Sequence, residues 1–323
     1  MILGQDRAVE QFKSAWNARS LHHAWLLAGA RGVGKAHFAR AVALRVLAEA
    51  AGPPVDLPGL DTPEDHPIAR LFAAGSHPDF RLLERLENPK TGNLARNISV
   101  DQVRSLGDLF GSTPALSDWR IVVIDSADDL EASAANALLK MLEEPPPNCL
   151  FLLVAHAPGR LLPTIRSRCR RLDFQYLTDD VMASVLEVEL PEVSAAEQTR
   201  IVSKAGGSVG RALAFAEHDL AKLEDTALRI LREGDPTNGL RSGLASELGR
   251  KGAAERYAGF LQLVPALVAR EARRLDGAAR DRALAAYDQS RELTALAPRL
   301  SLDPAATVFQ LGGILASVPS LKA

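Results

Sequence analysis

A chain of 323 residues has room for two or three domains, and 47% hydrophobic with 24% charged residues is the balance of a folded globular protein. A net charge of −2 excludes a strong basic field over the whole molecule, and with it tight DNA binding by this chain alone, while leaving room for a local basic face. Two cysteines, Cys149 and Cys169, are too few for a four-ligand zinc site or a secreted disulfide scaffold; no apolar run reaches the roughly 18 residues of a membrane helix, and the charged start is unlike a signal peptide, so a cytoplasmic protein with no membrane partner is expected.

The first half alternates short apolar runs with helical periodicity, which predicts an α/β fold with a mostly parallel sheet. Trp25–Ala28 reads as a buried strand and His37–Leu47 as the helix after it. Residues 51–67 hold five prolines and two glycines and read as an irregular loop or insertion. Phe80–Leu83 is a short strand candidate, and Ser99 with Gln102 is a capping-box pattern that opens a helix. Arg120–Asp125 is a strong buried strand ending in an acid. Ala132–Glu144 is a helix stopped by Pro145-Pro146-Pro147, Leu150–Ala155 another buried strand, and Arg170–Phe174 a last, shorter one. Strand signals then fade. Residues 178–218 read as a small helical unit, and residues 219–323 as Ala/Leu/Arg-rich helices with breaks at 235–239 and at Ala297-Pro298.

Between the first strand and its helix stands G-A-R-G-V-G-K-A, residues 29–36. This is a phosphate loop, G-x-x-x-x-G-K-[ST], in every fixed position but the last. Gly29, Gly32 and Gly34 let backbone N–H groups turn inward as an anion nest, and Lys35 has the reach for the β- and γ-phosphates. Ala36 stands where a hydroxyl would hold Mg²⁺, and a methyl group cannot ligate a hard cation. The strand I-V-V-I-D ends in Asp125, which suits metal orientation, but Ser126 follows where a glutamate would polarise water. Asp128 and Asp129 are expected on the solvated loop or capping the next helix, with substitution for the missing glutamate as the lesser alternative. His156 ends the 150–155 strand, where a phosphate-sensing polar residue could sit, and is expected instead to be a satisfied structural histidine. Arg168, in T-I-R-S-R-C, could act in trans on a neighbour's phosphate, although on chemistry alone a surface or ion-paired arginine is the expectation. Arg211, in G-G-S-V-G-R, either faces a bound phosphate or is solvated. His22 and His23 lack further metal ligands, and Trp16, Trp25 and Trp119 read as core or boundary residues.

Several stretches carry a resemblance: G-Q-D-R-A-V at 4–9, L-H-H-A-W-L-L-A-G at 21–29, G-S-H-P-D-F at 75–80, A-A-N-A-L-L-K-M-L-E-E-P-P at 134–146 and S-R-C at 167–169. Together with the phosphate loop, the chain resembles the clamp-loader branch of the AAA+ ATPases over about residues 1–215. The resemblance implies a RecA-like P-loop domain (1–176), a small helical lid (177–218) and an all-α collar for oligomerisation (219–323). It implies a hetero-pentameric ring with motor (gamma/tau-type) and delta-type subunits, which places a sliding clamp on primed DNA. It also transfers a trans-acting arginine onto Arg168. A motor subunit would have Thr or Ser at 36, Glu at 126, Thr near 156 and arginine in a G-S-x-R pattern. Here those places hold Ala36, Ser126 and His156, and Arg211 comes one position late. The expectation is a subunit that assists a neighbour's hydrolysis, with a degenerate site of Gly29, Gly32, Gly34, Lys35, Ala36, Asp125 and Arg211 that is empty or weakly occupied by ATP or ADP. The rivals are a working AAA+ ATPase and a bare scaffold. Many relatives carry a four-cysteine zinc module before the H-P-D segment. Residues 51–67 have no cysteine, so no zinc and no required cofactor are expected.

Overall fold

Five apolar runs form one parallel sheet: β1 (Ala24–Gly29), β2 (Phe80–Glu84), β3 (Arg120–Asp125), β4 (Cys149–Ala155) and β5 (Arg170–Phe174), in the order β2-β3-β4-β1-β5. The computed structural model describes residues 2–87, 94–111, 113–218 and 220–318. The three central strands are covered on both faces, which explains their continuous apolar sequences. Side chains alternate between two cores. Trp25, Leu27, Leu150, Leu152 and Val154 face the helices Asp6–Asn17 and Lys35–Ala51. Leu26, Val122, Ile124, Phe151 and Leu153 face Val100–Arg104 and Ala132–Glu143. Each such large side chain, fully buried, contributes roughly 1.5–3 kcal/mol of apolar transfer. The expected α/β fold with a parallel sheet, followed by a helical C-terminal region, is the fold the chain adopts.

The helix after the phosphate loop runs Lys35–Ala51, longer at both ends than the periodicity of 37–47 indicates. Residues 52–66 are irregular, as their prolines require, but they are tied down by Arg45. That buried side chain pairs with Glu49 and donates to the carbonyls of Val55 (3.0 Å), Leu57 (3.0 Å) and Asp61 (2.6 Å). His66 closes the loop by accepting from the N–H of Ile68 at the start of Pro67–Ala73. The Ser99–Gln102 capping box is present.

The chain divides into two units, Met1–Gly210 and Arg211–Ala323. The first ends in the helices Asp179–Glu189 and Ala195–Ala205 and the start of Val209–His218. The second contains Leu220–Glu233, Gly239–Leu248, Ala254–Ala272, Gly277–Leu300 and Pro304–Ala316 around Ala227, Ile230, Phe260, Val264, Leu267 and Leu311. Asp235 accepts from the N–H groups of Leu240 (3.2 Å) and Arg241 (3.0 Å), which fixes the break at 235–239. The expected break at Ala297-Pro298 is absent. The helix runs through Pro298 to Leu300 and stops at Ser301, whose φ is 50°. Pro298 is exposed in the last turn, where water can serve the carbonyl it leaves without a donor. No helix among the described residues is long and apolar enough to cross a membrane.

Candidate functional site

The strand order brings the carboxyl ends of β3, β4 and β1 side by side, so Asp125, His156 and the phosphate loop meet at one edge of the sheet. This is the edge where parallel α/β sheets build ligand sites. Gly32 and Gly34 take φ of 79° and 94°, which a side chain would resist, and they bend the loop over the start of Lys35–Ala51. Three contacts hold the loop from outside. Gln5 Nε2 donates to the carbonyls of Val33 (3.1 Å) and Gln175 (2.9 Å). Ser208 Oγ donates to the Arg31 carbonyl (3.2 Å), and the Gly210 N–H to that of Gly32 (3.0 Å).

Lys35 is 2% exposed and turns back on its own loop, donating to the carbonyls of Gly29 (2.7 Å) and Ala30 (2.5 Å). Burial pushes its amine down to about 8, against the pull of Asp128 and Asp125. Burial also raises the carboxyl of Asp125, opposed by Arg31 and Lys35. Ala36 lies in the first turn of the helix beside them and offers no oxygen from its side chain. Ser126 is buried, and its hydroxyl donates to Asp129 (3.3 Å), which also pairs with Arg85 (3.3 Å). Asp129 is therefore a neutralised partner.

Asp128 is not on a solvated loop, nor does it cap the next helix. Its carboxylate accepts the backbone N–H groups of His156 (2.5 Å) and Ala157 (3.1 Å), stitching the end of β3 to the end of β4. Both aspartates lie in or beside the short turn Ala127–Asp129, whose geometry aims them inward. Neither is free to replace a catalytic glutamate. His156 departs from the expectation of a satisfied histidine, because its Nδ1 is buried without a hydrogen-bond partner. Burial, aided by Lys35, Arg31 and Arg85, pushes the imidazole down to about 3, so the ring is neutral at working pH. A 380 Å³ cleft beside the loop is lined by Arg31, Arg85, Asp125, Ser126, Asp129 and His156 among others.

Arg168 is not in this group. It lies on the turn between Pro163–Arg166 and the start of β5, at the opposite end of the strands. β5 is an edge strand parallel to β1, and its five residues set Arg168 about 15 Å along the sheet from the phosphate-loop edge. The guanidinium is about a third exposed. Nη2 pairs with Glu143 Oε1 (2.7 Å) and Nη1 donates to the Thr164 carbonyl (3.0 Å). Glu143, Asp128 and Arg85 are site residues to which sequence reading assigned no such role. Glu143 lies inside L-E-E-P-P and Asp128 just past I-V-V-I-D-S, whereas Arg85 stands in no motif.

Arg211 follows Gly210 in Val209–His218 and is the first residue of the second unit. The two cysteines are inert by environment, since burial pushes the thiol of Cys149 up to about 11 and that of Cys169 to about 12. His22 and His23 stack at 4.4 Å, and no metal-ligating cluster occurs among the described residues. Trp25 is fully buried, while Trp16 and Trp119 meet edge to face (5.3 Å) at the boundary of the first core.

The family model for the DNA polymerase III delta subunit matches residues 4–178. The chain is 39% identical over 160 residues to the DNA polymerase III subunit delta' of Pseudomonas aeruginosa, covering 48% of this chain and 44% of that one. It is 32% identical over 179 residues to the subunit delta' of Escherichia coli, covering 55% and 51%. It is also 29% identical over 237 residues to the subunit tau of Bacillus subtilis, covering 70% and 39%. The match thus spans roughly half or less of the length of these relatives. The matched region contains the whole sheet, the phosphate loop and Arg168: the chain belongs to the DNA polymerase III delta-subunit family.

Proposed function

We propose that this chain is a delta-prime-type subunit of a bacterial clamp loader, which helps build the ring but does not itself hydrolyse ATP. In this reading it is part of the DNA polymerase III holoenzyme and works with gamma/tau-type and delta-type subunits. Its Arg168 enters the ATP site of the adjacent motor subunit while the ring loads a sliding clamp onto primed DNA. The observation that carries the reading is the separation of two functions within one domain. The phosphate-loop edge has Ala36 for a metal-holding hydroxyl, Ser126 for a base, and Lys35 engaged with its own loop. Arg168 stands at the other end of the sheet, partly exposed on the turn that leads into the edge strand β5, where it cannot reach its own loop but can meet a neighbour. A heterologous ring interface presents one subunit's face to the next one's pocket, which is what a trans arginine requires. The guanidinium is always charged and suits phosphate oxygens.

The test is steady-state ATP hydrolysis with clamp and primed DNA, by the purified chain alone and after reconstitution with motor and delta-type partners. The chain alone is expected to show no turnover. Arg168→Ala is expected to leave assembly intact, by mass measurement of the complex, and to cut the reconstituted rate tenfold or more, a floor set below the roughly 10³–10⁵ an arginine finger contributes at the one site it serves. Robust turnover by the chain alone would instead make it a working ATPase. An unchanged rate with Arg168→Ala would make it a scaffold.

A further inference from the structure

We infer that Glu143 is a positioning residue for Arg168, holding the guanidinium in the pose in which it is presented outward. The inference rests on the trans-acting role proposed for Arg168. Glu143 is the last residue of Ala132–Glu143, a helix buried along Ala134, Ala135, Leu138 and Leu142 and ended by the proline run 145–147. Its backbone is therefore fixed, whereas Arg168 lies on a turn after a four-residue helix. An arginine on such a turn would otherwise sample many rotamers. Two groups restrain it, the Glu143 carboxylate on Nη2 (2.7 Å) and the Thr164 carbonyl on Nη1 (3.0 Å).

A guanidinium has five N–H donors in a rigid fork. With two engaged, three remain for an anion, and the side chain keeps about a third of its surface accessible. The carboxylate is itself 48% exposed, so this pair sits in a screened environment and adds little to folding. Its effect is on where the fork points. A pre-set donor array loses less on meeting the developing charge of a transferring phosphate than a mobile one does. Oxygen–oxygen repulsion would keep Glu143 off a neighbour's phosphate, so it acts through Arg168 only.

The test uses the complete reconstituted loader with primed DNA and clamp, comparing wild type, Glu143→Ala, Glu143→Gln, Glu143→Asp, Arg168→Ala and the double variant Glu143→Ala/Arg168→Ala. We expect Glu143→Ala to lower kcat for ATP three- to thirtyfold with KM for ATP and ring mass unchanged. Glu143→Gln, which keeps the shape but not the charge, should retain part of the loss, and Glu143→Asp should recover part of the rate. The double variant should be no slower than Arg168→Ala, since a residue that acts only through another adds nothing once that one is gone. A full-rate Glu143→Ala beside a crippled Arg168→Ala overturns this inference and leaves the finger intact. A faster Glu143→Ala would mean that the carboxylate restrains the arginine rather than presenting it, and also overturns it. An Arg168→Ala complex at full rate instead overturns the finger reading itself.

Discussion

Lys35 is an amine held in a nearly dry site by two carbonyls of its own loop. Its ordinary value of 10.5 falls to about 8, with burial as the main cause. Between those two values the unfolded chain holds a proton that the folded chain has released, so stability rises as pH increases through this window. The full rise is on the order of 3 kcal/mol. Lys35→Met should flatten that rise in urea unfolding between pH 7.5 and 10, and parallel curves for the two proteins would contradict it. The residues of the loop were legible in the sequence because their spacing is itself the motif, and Ala36 and Ser126 needed only side-chain chemistry. Asp128 and Glu143 were not. Their partners, His156 and Arg168, lie far along the chain, and only the folding of β3 against β4 and of Ala132–Glu143 against the S-R-C turn brings them together.

At the scale of elements, the segment 52–66 has no helix or strand of its own, yet one side chain organises it. Arg45 reaches from the phosphate-loop helix to three carbonyls of the loop. Arg45→Ala leaves those carbonyls without their donor and is expected to cost about 2–4 kcal/mol. Thermal melting should report the loss, and limited proteolysis should find new cleavage within 52–66. Arg45→Lys should rescue less than half, because an ammonium lacks the planar fork that spans separate acceptors. A melt unchanged by Arg45→Ala would mean that the loop is held by its prolines alone. The H-P-D segment has a similar basis. Asp79, 3% exposed, accepts the N–H groups of Ala115 (2.8 Å), Leu116 (2.9 Å) and Ser117 (3.0 Å), binding the start of β2 to the approach to β3. Strands and capped helices were readable here because periodicity and caps are local. The reach of Arg45 and Asp79 is not, and the exposed Pro298 misled because the rule that proline ends a helix presumes a carbonyl out of reach of water.

The whole molecule combines a sheet domain in which Asp79 and Asp128 accept backbone N–H groups with a helical second unit braced by charge pairs. Arg232 makes a two-pronged contact with Glu271 (3.0 and 2.8 Å), and Arg270 reaches the buried Glu224 (2.5 Å). The Arg232 hydrogen bonds hold the Glu271 carboxyl below its ordinary 4.5. A depressed carboxyl contributes stability that is complete above 4.5 and lost as pH falls through the folded-state value. Glu271→Gln should therefore cost about 1–2 kcal/mol at pH 7, the range being kept low because Arg232 is half exposed. The variant and wild type should converge in urea unfolding as pH falls below the folded-state value of Glu271. An acid limb of equal slope in both would show that the pair does not set it.

Gln5 gives the first unit one more property. A single carboxamide joins the phosphate loop at Val33 to the residue just past β5 at Gln175, while Ser208 and Gly210 grip the same loop at Arg31 and Gly32. The loop consequently has no slack. It is geared to the helices that follow β5, so whatever displaces it must turn those helices too. Movement in this unit is then a matter of linked pieces rotating together rather than of a flap opening alone.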